Sequence, residues 1–251
     1  MSDGAYNIGS PREIRALLAR RGITLKKRWG QNFLFQQRWR SWIVELVSAR
    51  PGEQLWEIGP GLGALTEGLV KTGADITLFE IDHGLIEILK ERFGQTLRIV
   101  QGDAVRSWIE VAQEEGPPSA VVGNLPYSSG ARIIASFVES ELATLPRMVV
   151  MVQREVAQRM VASPGSEDFS SFTVLVASAY KVAMEGDVPA DAFYPPPRIR
   201  STVLTLTPKE PPLPPARRRA LSRVARALFA SRRKTAANAI RRAFSLPEAN
   251  R

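Results

Sequence analysis

Apolar residues in the first fifty positions recur at helical spacing. Ile14, Leu17 and Leu18 lie three or four residues apart and predict a short amphipathic helix over residues 12–21. A second helix is predicted over residues 36–49, and Pro51 and Gly52 should end it. The apolar positions of this second helix are Trp39, Ile43, Leu46 and Val47.

From residue 54 onward, short apolar runs alternate with helical patterns. Strands are predicted at 54–59, 75–82, 97–104, 119–124 and 147–153, and helices at 63–73, 84–93, 106–114, 131–140 and 154–162. Residues 171–180 fit either a helix or a strand, because short apolar runs do not distinguish the two. The strands predicted at 181–188 and 201–208 have no good crossover helix between them. The pattern predicts an α/β fold, a Rossmann-like doubly wound sheet that is mostly parallel with an antiparallel strand at one edge.

The end of the chain has a different composition. Residues 208–215 are rich in proline and are predicted to be a linker between a domain at 1–207 and a small all-α domain at 216–251. Within the second domain, the apolar positions of two helical faces are Leu221, Val224, Leu228 and Phe229, then Ile240 and Phe244. The remaining surface of this helical domain is predicted to be strongly basic.

Charge is concentrated at the two ends. The chain has a net charge of +9, yet residues 1–40 carry +7 and residues 209–251 carry +10, so the middle is acidic. This distribution is typical of a protein that binds a polyanion, although solubility alone would also account for it. Arg232, Arg233 and Lys234 follow the first C-terminal helix, and we expect them to contact phosphates.

Composition excludes several classes of site. The absence of cysteine excludes disulfides and thiolate metal sites, and the single histidine, His83, excludes multi-histidine metal sites. We therefore expect chemistry without a metal. No run of about 18 apolar residues predicts a membrane span, and the N-terminus lacks the pattern of a secretory signal. These features favour a soluble cytoplasmic protein.

Four consecutive predicted strands end in residues suited to a nucleoside ligand. Glu57 begins a glycine loop that contains Gly59 and Gly61, Glu80 ends the next strand, and Asp103 follows the third. The fourth strand runs into Asn124-Leu125-Pro126-Tyr127. Ligands of open α/β sheets bind at the carboxyl ends of the strands, so these residues should surround one site. Each acid alone would more often be a helix cap or a solvated loop residue.

The first loop distinguishes between cofactors. A pyrophosphate would need a third glycine at the helix N-terminus, whereas this loop begins with Glu57 and contains Pro60. We expect Glu80 to accept hydrogen bonds from ribose hydroxyls and Asp103 to accept one from an adenine amino group. A cationic cofactor without phosphates, S-adenosyl-L-methionine, fits this pattern.

The sequence also resembles a known family along nearly its whole length, from about residue 12 to 245. The motifs that carry the resemblance are KKRWGQNFL (26–34), EIGPGLGALT (57–66), FEID (79–82), GDA (102–104), GNLPY (123–127), FYPPPRIRS (193–201) and SRRKTAANAI (231–240). They are similar, in order, to those of ribosomal RNA adenine N6,N6-dimethyltransferases, and most similar to the bacterial small-subunit branch. Related macrolide-resistance methylases usually have isoleucine at the position of Leu125.

This resemblance implies specific roles for individual residues. The implied cofactor contacts are Gln31, Asn32, Leu34, Gly59, Gly61, Glu80, Asp103 and Asn124. The implied catalytic set is Asn124, Leu125, Tyr127 and Phe193. Arg200 departs from the family, which often has an acidic or small residue before Ser201.

The motif at residues 124–127 suits methyl transfer to an exocyclic adenine amine. Its nitrogen is a poor nucleophile, so it must be held in line with the methyl group. The side-chain oxygen of Asn124 and the carbonyl of Leu125 can accept its N–H bonds and stabilise the positive charge that develops. Tyr127 offers a face on which the base can stack, and Phe193 would close the other face.

The implied partner is 16S rRNA in an immature 30S subunit, methylated at N6 of hairpin-loop adenosines by a monomeric enzyme. Two alternatives remain open at this point. The first is an RNA-binding assembly or transcription factor in which methylation is weak or absent. The second is a DNA adenine or small-molecule methyltransferase, although a small-molecule enzyme has little use for the basic C-terminal end.

Overall fold

A computed structural model describes residues 7–26, 30–230 and 235–244. The helices are α1 (Pro11–Arg20), α2 (Gln37–Val47), α3 (Thr66–Leu69), α4 (His83–Phe93), α5 (Ala104–Glu115), α6 (Gly130–Val138), α7 (Arg154–Val161), α8 (Ser171–Ala177), α9 (Pro215–Phe229) and α10 (Ala236–Phe244). The strands are β1 (Phe33–Leu34), β2 (Gln54–Ile58), β3 (Asp75–Glu80), β4 (Arg98–Gln101), β5 (Ala120–Asn124), β6 (Arg147–Gln153), β7 (Tyr180–Val188), β8 (Phe193–Tyr194) and β9 (Ser201–Pro208).

The main sheet has the strand order β4-β3-β2-β5-β6-β9-β7. Neighbouring strands in the series β4-β3-β2-β5-β6 pair in parallel, whereas β9 is antiparallel to both β6 and β7. This confirms the predicted doubly wound sheet with an antiparallel addition at one edge. The last strand of the sheet, β9, inserts between β6 and β7, an order that the sequence pattern did not specify.

Alternating side chains of the strands supply the apolar cores on the two faces of the sheet. Trp56 faces a cluster that includes Trp108 and Phe137, whose rings stack with centroids 4.2 Å apart. Its neighbour Leu55 faces the opposite cluster, to which Ile43 of α2 belongs. Helices therefore cover both faces, as parallel sheets require.

A third apolar cluster attaches the N-terminal segment to the sheet domain. Ile14 and Leu17 of α1 are buried together with Leu85 and Ile88 of α4. After α1 the chain returns along β1, which pairs antiparallel with β8 in a separate two-stranded sheet. The sequence analysis did not predict this small sheet, because two-residue strands are too short to show a period.

One predicted helix is shorter in the structure, and the structure decides one segment that the sequence left open. The helix expected over residues 63–73 is reduced to α3 and a 3₁₀ turn, Val70–Thr72. Gly63, at φ +78°, keeps the preceding loop out of the helix. The ambiguous segment 171–180 forms α8 and then starts β7. Ser170 decides the helix, because its side chain accepts a hydrogen bond from the Thr173 backbone N–H in a capping box.

The most deeply buried positions of α9 were not predicted. Arg218, Ser222 and Ala225 are buried, whereas the expected apolar face, beginning with Leu221, is only half-buried. The guanidinium of Arg218 donates to the carbonyl oxygens of Leu213, Val138, Ser140 and Leu142, at 2.7, 2.8, 3.2 and 2.5 Å. It thus satisfies the Val138 carbonyl at the C-terminus of α6, which lacks a helical partner, together with carbonyls of the chain after α6 and before α9.

The surface of α9 is consequently less basic than predicted. Besides the buried Arg218, Arg219 pairs with Glu141 at 2.5 Å and Arg226 pairs with Glu139 at 2.5 Å. Acidic residues of the sheet domain therefore neutralise part of the C-terminal charge. The predicted basic outside is therefore wrong for Arg218, which is buried, whereas Arg219 and Arg226 remain at the surface with their charge paired.

Candidate active site

A cavity of about 310 Å³ lies at the carboxyl edge of the sheet, where β2 to β5 end side by side. Residues from every predicted motif of the sheet domain except 193–201 line it. The predicted site residues among them are Gln31, Asn32, Leu34, Gly59, Gly61, Glu80, Asp103, Asn124 and Leu125. Strands β2 and β5 approach so closely here that a Cβ on Gly123 would lie 2.4 Å from the Ile58 carbonyl oxygen.

The glycine loop after β2 adopts backbone angles that favour glycine. Gly59 and Gly61 have φ values of +68° and +59°. A Cβ on Gly61 would also lie 3.1 Å from the Phe33 ring, which packs over the loop from β1. The loop is thereby held between the sheet and the N-terminal segment, with its backbone open to the cavity.

Glu80 organises the end of β3. One carboxylate oxygen accepts the Gly61 backbone N–H at 3.1 Å, and the other accepts those of Ile81 and Asp82 at 2.9 Å each. Burial nevertheless raises the pKa of Glu80, because the loss of water outweighs these hydrogen bonds. The oxygen that accepts only from Gly61 keeps a second lone pair, so Glu80 can still accept from a ligand hydroxyl.

Gln31 lines the cavity, but other protein groups already engage both ends of its side chain. Its amide nitrogen donates to Asp82 at 3.0 Å, and its amide oxygen accepts the Lys26 backbone N–H at 2.9 Å. Asp82 also caps α4 by accepting from the Gly84 backbone N–H at 3.1 Å. Gln31 therefore fastens the N-terminal segment to the end of β3.

Glu57 is the most deeply buried carboxylate of the cavity, at 1% exposure. Burial raises its pKa to about 7, and the nearby charge of Glu80 adds to the shift. The hydroxyl of Thr66 donates to it at 2.6 Å and partly opposes this rise. Near neutral pH, Glu57 can therefore either hold a proton or, when ionised, interact with a cationic ligand.

Asp103 is both a helix cap and a residue of the cavity lining. It caps α5, since one carboxylate oxygen accepts the Val105 backbone N–H at 3.0 Å, and it also lines the cavity. Its other oxygen is therefore available to a ligand in the cavity, which the exposed apolar side chain of Ile81 also lines.

Asn124 is oriented by a contact with the N-terminal segment. Its side-chain nitrogen donates to the Asn32 backbone carbonyl at 2.9 Å. The side-chain oxygen is therefore the acceptor that remains for a substrate amine. Leu125 is buried beside it, and its backbone N–H donates to the Met151 carbonyl at 3.0 Å, which extends the pairing of β5 with β6 past Asn124.

Tyr127 and Phe193 do not line the cavity. Tyr127 is half-buried next to it, with its hydroxyl 2.6 Å from the Ser201 hydroxyl. Phe193 is only 2% exposed and packs in the core beside Leu34, its partner in the β1–β8 pair. This packing does not support an exposed stacking face at Phe193, although its role in base binding stays untested.

The sequence analysis missed Arg132, an exposed residue in the first turn of α6 that lines the cavity. The only feature of the sequence that could have indicated this residue is a positive charge two positions after the glycine that begins α6. The predicted phosphate contacts Arg232, Arg233 and Lys234 lie outside the described residues.

The residues around the cavity fit S-adenosyl-L-methionine. Glu57, Glu80 and Asp103 present three carboxylates to one cavity, which suits a ligand with hydroxyls, an amino group and positive charge. The same carboxylates would repel a pyrophosphate. Across the described ranges, no group of three or more His, Asp or Glu side chains could hold a metal ion. In the same ranges, no helix has the length and apolar character of a membrane span.

Comparison with known proteins identifies the family. The family model described as "Ribosomal RNA adenine dimethylase" matches residues 22–250. The chain belongs to this family. A curated family member from Treponema pallidum, "Ribosomal RNA small subunit methyltransferase A", is 39% identical over 233 residues, which cover 92% of this chain and 81% of the relative. A Pseudomonas aeruginosa protein of the same name is 38% identical over 226 residues, covering 89% of this chain and 84% of the relative.

A solved structure shares the fold of this chain. A dimethyladenosine transferase from Plasmodium falciparum superposes with a TM-score of 0.67 at 24% identity, covering 82% of this chain and 74% of the other. At this level of identity, the likeness concerns the fold alone. It agrees with the mostly parallel sheet and the cavity at its carboxyl edge.

Proposed function

We propose that this chain transfers methyl groups from S-adenosyl-L-methionine to N6 of adenosines in small-subunit rRNA, giving N6,N6-dimethyladenosine. The observation that carries the proposal is the position of Asn124. Its free acceptor oxygen faces a cavity whose three carboxylates suit this cofactor, in a chain of the rRNA adenine dimethylase family. The cofactor supplies the methyl group, activated on its sulfonium.

In the reaction, the protein positions the adenine amine and stabilises the positive charge that develops on its nitrogen. The Asn124 oxygen and the Leu125 carbonyl accept the two N–H bonds of the adenine amine, which directs the nitrogen lone pair toward the methyl group. The same two oxygens stabilise the positive charge that grows on nitrogen as the new bond forms. The methylated amine then loses its proton readily, so no strong general base is required.

The cofactor contacts divide along the four strand ends. Glu80 accepts from the ribose hydroxyls, Asp103 accepts from the adenine amino group, and ionised Glu57 faces the positive charge of the amino acid part. Gly59 and Gly61 let the backbone approach closely, and Asn32 and Leu34 cover the cofactor, with Gln31 as their support. Glu80→Ala should weaken cofactor binding by about 1–3 kcal/mol. Calorimetry tests this, with the exposed Glu110→Ala as the matched control.

Tyr127 is the proposed stacking face for a target base that has left its helix or loop. It lies directly after the Asn124–Pro126 acceptor turn, and its hydroxyl contact with Ser201 holds the ring. A base flipped toward Asn124 would meet this ring. Burial of Phe193 argues against a second aromatic wall in the arrangement described here.

The finer substrate is a hairpin loop of 16S rRNA within an immature 30S subunit. The curated relatives are named for the small subunit, and they are 38–39% identical to this chain. We also propose a catalytic domain at 1–207, a proline-rich linker at 208–215, a basic RNA-binding domain at 216–251 and a monomeric, cytoplasmic protein. Buried Arg218 indicates that the C-terminal helix α9 is docked on the catalytic domain.

One experiment tests the reaction directly. Purified protein is incubated with labelled S-adenosyl-L-methionine and small subunits from a strain that lacks the modification, and rRNA nucleosides are analysed by mass spectrometry. We expect N6,N6-dimethyladenosine in 16S rRNA, and its formation should be about 100-fold slower or more with the Asn124→Ala variant. Tight RNA binding without methyl transfer would instead favour an assembly factor on the same fold.

A further inference from the structure

Three consecutive exposed residues, Arg198, Ile199 and Arg200, precede β9. Ile199 is 43% exposed and is flanked by the two cations. The next residue, Ser201, is fully buried and begins the strand. This stretch, called here the 198–200 segment, therefore stands outside the sheet at the point where β9 enters it.

The 198–200 segment lies beside Tyr127. The Ser201 hydroxyl is 2.6 Å from the Tyr127 hydroxyl, and the chain from Ile199 to Ser201 spans at most about 7 Å, so the segment and Tyr127 lie at the same part of this edge. The carbonyl of Arg200 accepts the Arg154 backbone N–H at 3.0 Å, which fixes the segment to the end of β6. Because β9 runs antiparallel to β6, its start lies at the same carboxyl edge as the cavity.

Exposed arginines lie near the start of β9 and at the cavity, although the surrounding region of the chain is acidic. Residues 41–208 are acidic in sum, yet Arg198 and Arg200 form no ion pair with any described carboxylate. Arg154 pairs with Asp187 at 2.6 Å, and Arg132, at the cavity, likewise has no ion pair within the described ranges. Unneutralised arginines around a substrate entrance favour a polyanionic substrate.

We propose that the 198–200 segment binds the RNA strand next to the target adenosine. Arg198 and Arg200 contact the phosphates that flank it, and Ile199 packs on the neighbouring base that becomes unstacked when the target turns toward Tyr127. Apolar side chains that take such a place are known where proteins unstack bases. The proposal rests on the proposed function, since it names how the RNA is presented to that site.

The charge component is tested with the double variant Arg198→Ala, Arg200→Ala. Binding to small subunits that lack N6,N6-dimethyladenosine is titrated at several salt concentrations. Without these two phosphate-binding side chains, the slope of log K against log salt should fall by about 1.4–1.8, and binding should weaken roughly 30-fold at about 0.1 M salt. The control Lys71→Ala, Lys181→Ala removes two exposed cations at the opposite edge of the sheet and should keep the parental slope. Equal slopes for the parent and the Arg198/Arg200 variant, or an equal decrease in the control, would overturn the charge component.

The apolar component is tested with Ile199→Asn and Ile199→Val. We expect kcat/KM for methyl transfer to fall at least tenfold in the asparagine variant, with the salt slope and the S-adenosyl-L-methionine affinity unchanged. The valine variant should stay within about twofold of the parent. Parental rates for Ile199→Asn would overturn the role of Ile199. If the parent itself transferred no methyl group, the proposed function would fail, whereas the salt titration would still judge the binding role of the segment.

Discussion

The side-chain nitrogen of Asn124 donates to the backbone carbonyl of Asn32 at 2.9 Å, across 92 positions of sequence. This bond ties the turn after β5 to the N-terminal segment that covers the cavity. It also determines which atom of the amide faces the substrate. The orientation of the proposed acceptor therefore depends on the segment that covers the cofactor.

Replacement of Asn124 should mainly affect the chemical step. Asn124→Ala removes an acceptor that stabilises charge at the reacting nitrogen, and the single-turnover rate of methyl transfer should fall about 100-fold or more. Cofactor affinity, measured by calorimetry, should change much less. Gln113→Ala, which removes an exposed amide on α5, serves as the control and should be neutral. A parental single-turnover rate in Asn124→Ala would exclude this acceptor role.

The raised pKa of Glu57, about 7, predicts pH-dependent cofactor binding. Ionised Glu57 attracts a cationic ligand and protonated Glu57 does not, so affinity should rise with pH up to about 7 and then level off. Binding near pH 6 should release a proton, which calorimetry in buffers of different ionisation enthalpy detects. Glu57→Gln should bind more weakly, with no such proton release from this position. Equal proton release in both proteins would contradict the assignment.

The same group predicts how unliganded stability depends on pH. The folded protein holds a proton on Glu57 that the unfolded chain, with a pKa near 4.5, has released. The free energy of unfolding should therefore fall as pH rises from about 4.5 through 7, by about 3 kcal/mol from this group. In Glu57→Gln this contribution should disappear. Denaturant titrations of parent and variant at about pH 5 and about pH 8 measure the difference.

Tyr127 should matter for RNA rather than for the cofactor. Tyr127→Ala removes the proposed stacking face and should lower kcat/KM for rRNA by about 1–3 kcal/mol, which is roughly 5- to 150-fold. Tyr127→Phe keeps the ring and removes only the hydroxyl contact with Ser201, so its effect should be smaller. Steady-state methylation assays compare the two variants. A parental rate in Tyr127→Ala would show that the base stacks elsewhere.

Arg218 should be important for stability, because its removal leaves several carbonyl oxygens without a donor. We expect Arg218→Ala to destabilise the protein by about 3 kcal/mol and to lower Tm by about 6–12 °C. Arg217→Ala is the matched control, since Arg217 is the exposed neighbour in the same helix. Thermal unfolding followed by circular dichroism distinguishes them. Similar Tm values for the two variants would show that the buried hydrogen bonds contribute little.

The basic run Arg232-Arg233-Lys234 remains a prediction from sequence. Replacement of these residues by alanine should reduce the salt slope of RNA binding by about 0.7–0.9 for each phosphate that the variant no longer neutralises. Cofactor affinity should be unchanged. Binding titrations with small subunits at several salt concentrations provide the measurement, and a slope equal to that of the parent would exclude these residues from RNA binding.

The sequence by itself determined the order and type of most elements and the edge of the sheet at which the site lies. Helical and strand periods reflect burial within a few residues, so they can be read locally. The sequence alone predicts that the strand ends at Glu57, Glu80, Asp103 and Asn124 lie around one site, because parallel strands place their carboxyl ends at one edge. Proline and glycine likewise marked the ends of elements.

Only the tertiary structure decided which partners these residues meet. From charge and composition, Arg218 was predicted to be part of a basic surface. In the structure it is completely buried, and it donates to carbonyl oxygens that lie 5 to 80 positions away in the sequence. Phe193 was expected to close one face of the base-binding pocket. Pairing of β8 with β1, which is distant in the sequence, places it in the core. The burial of both residues depends on contacts between segments that are distant in sequence. A local pattern of residues does not show which distant segment packs against it.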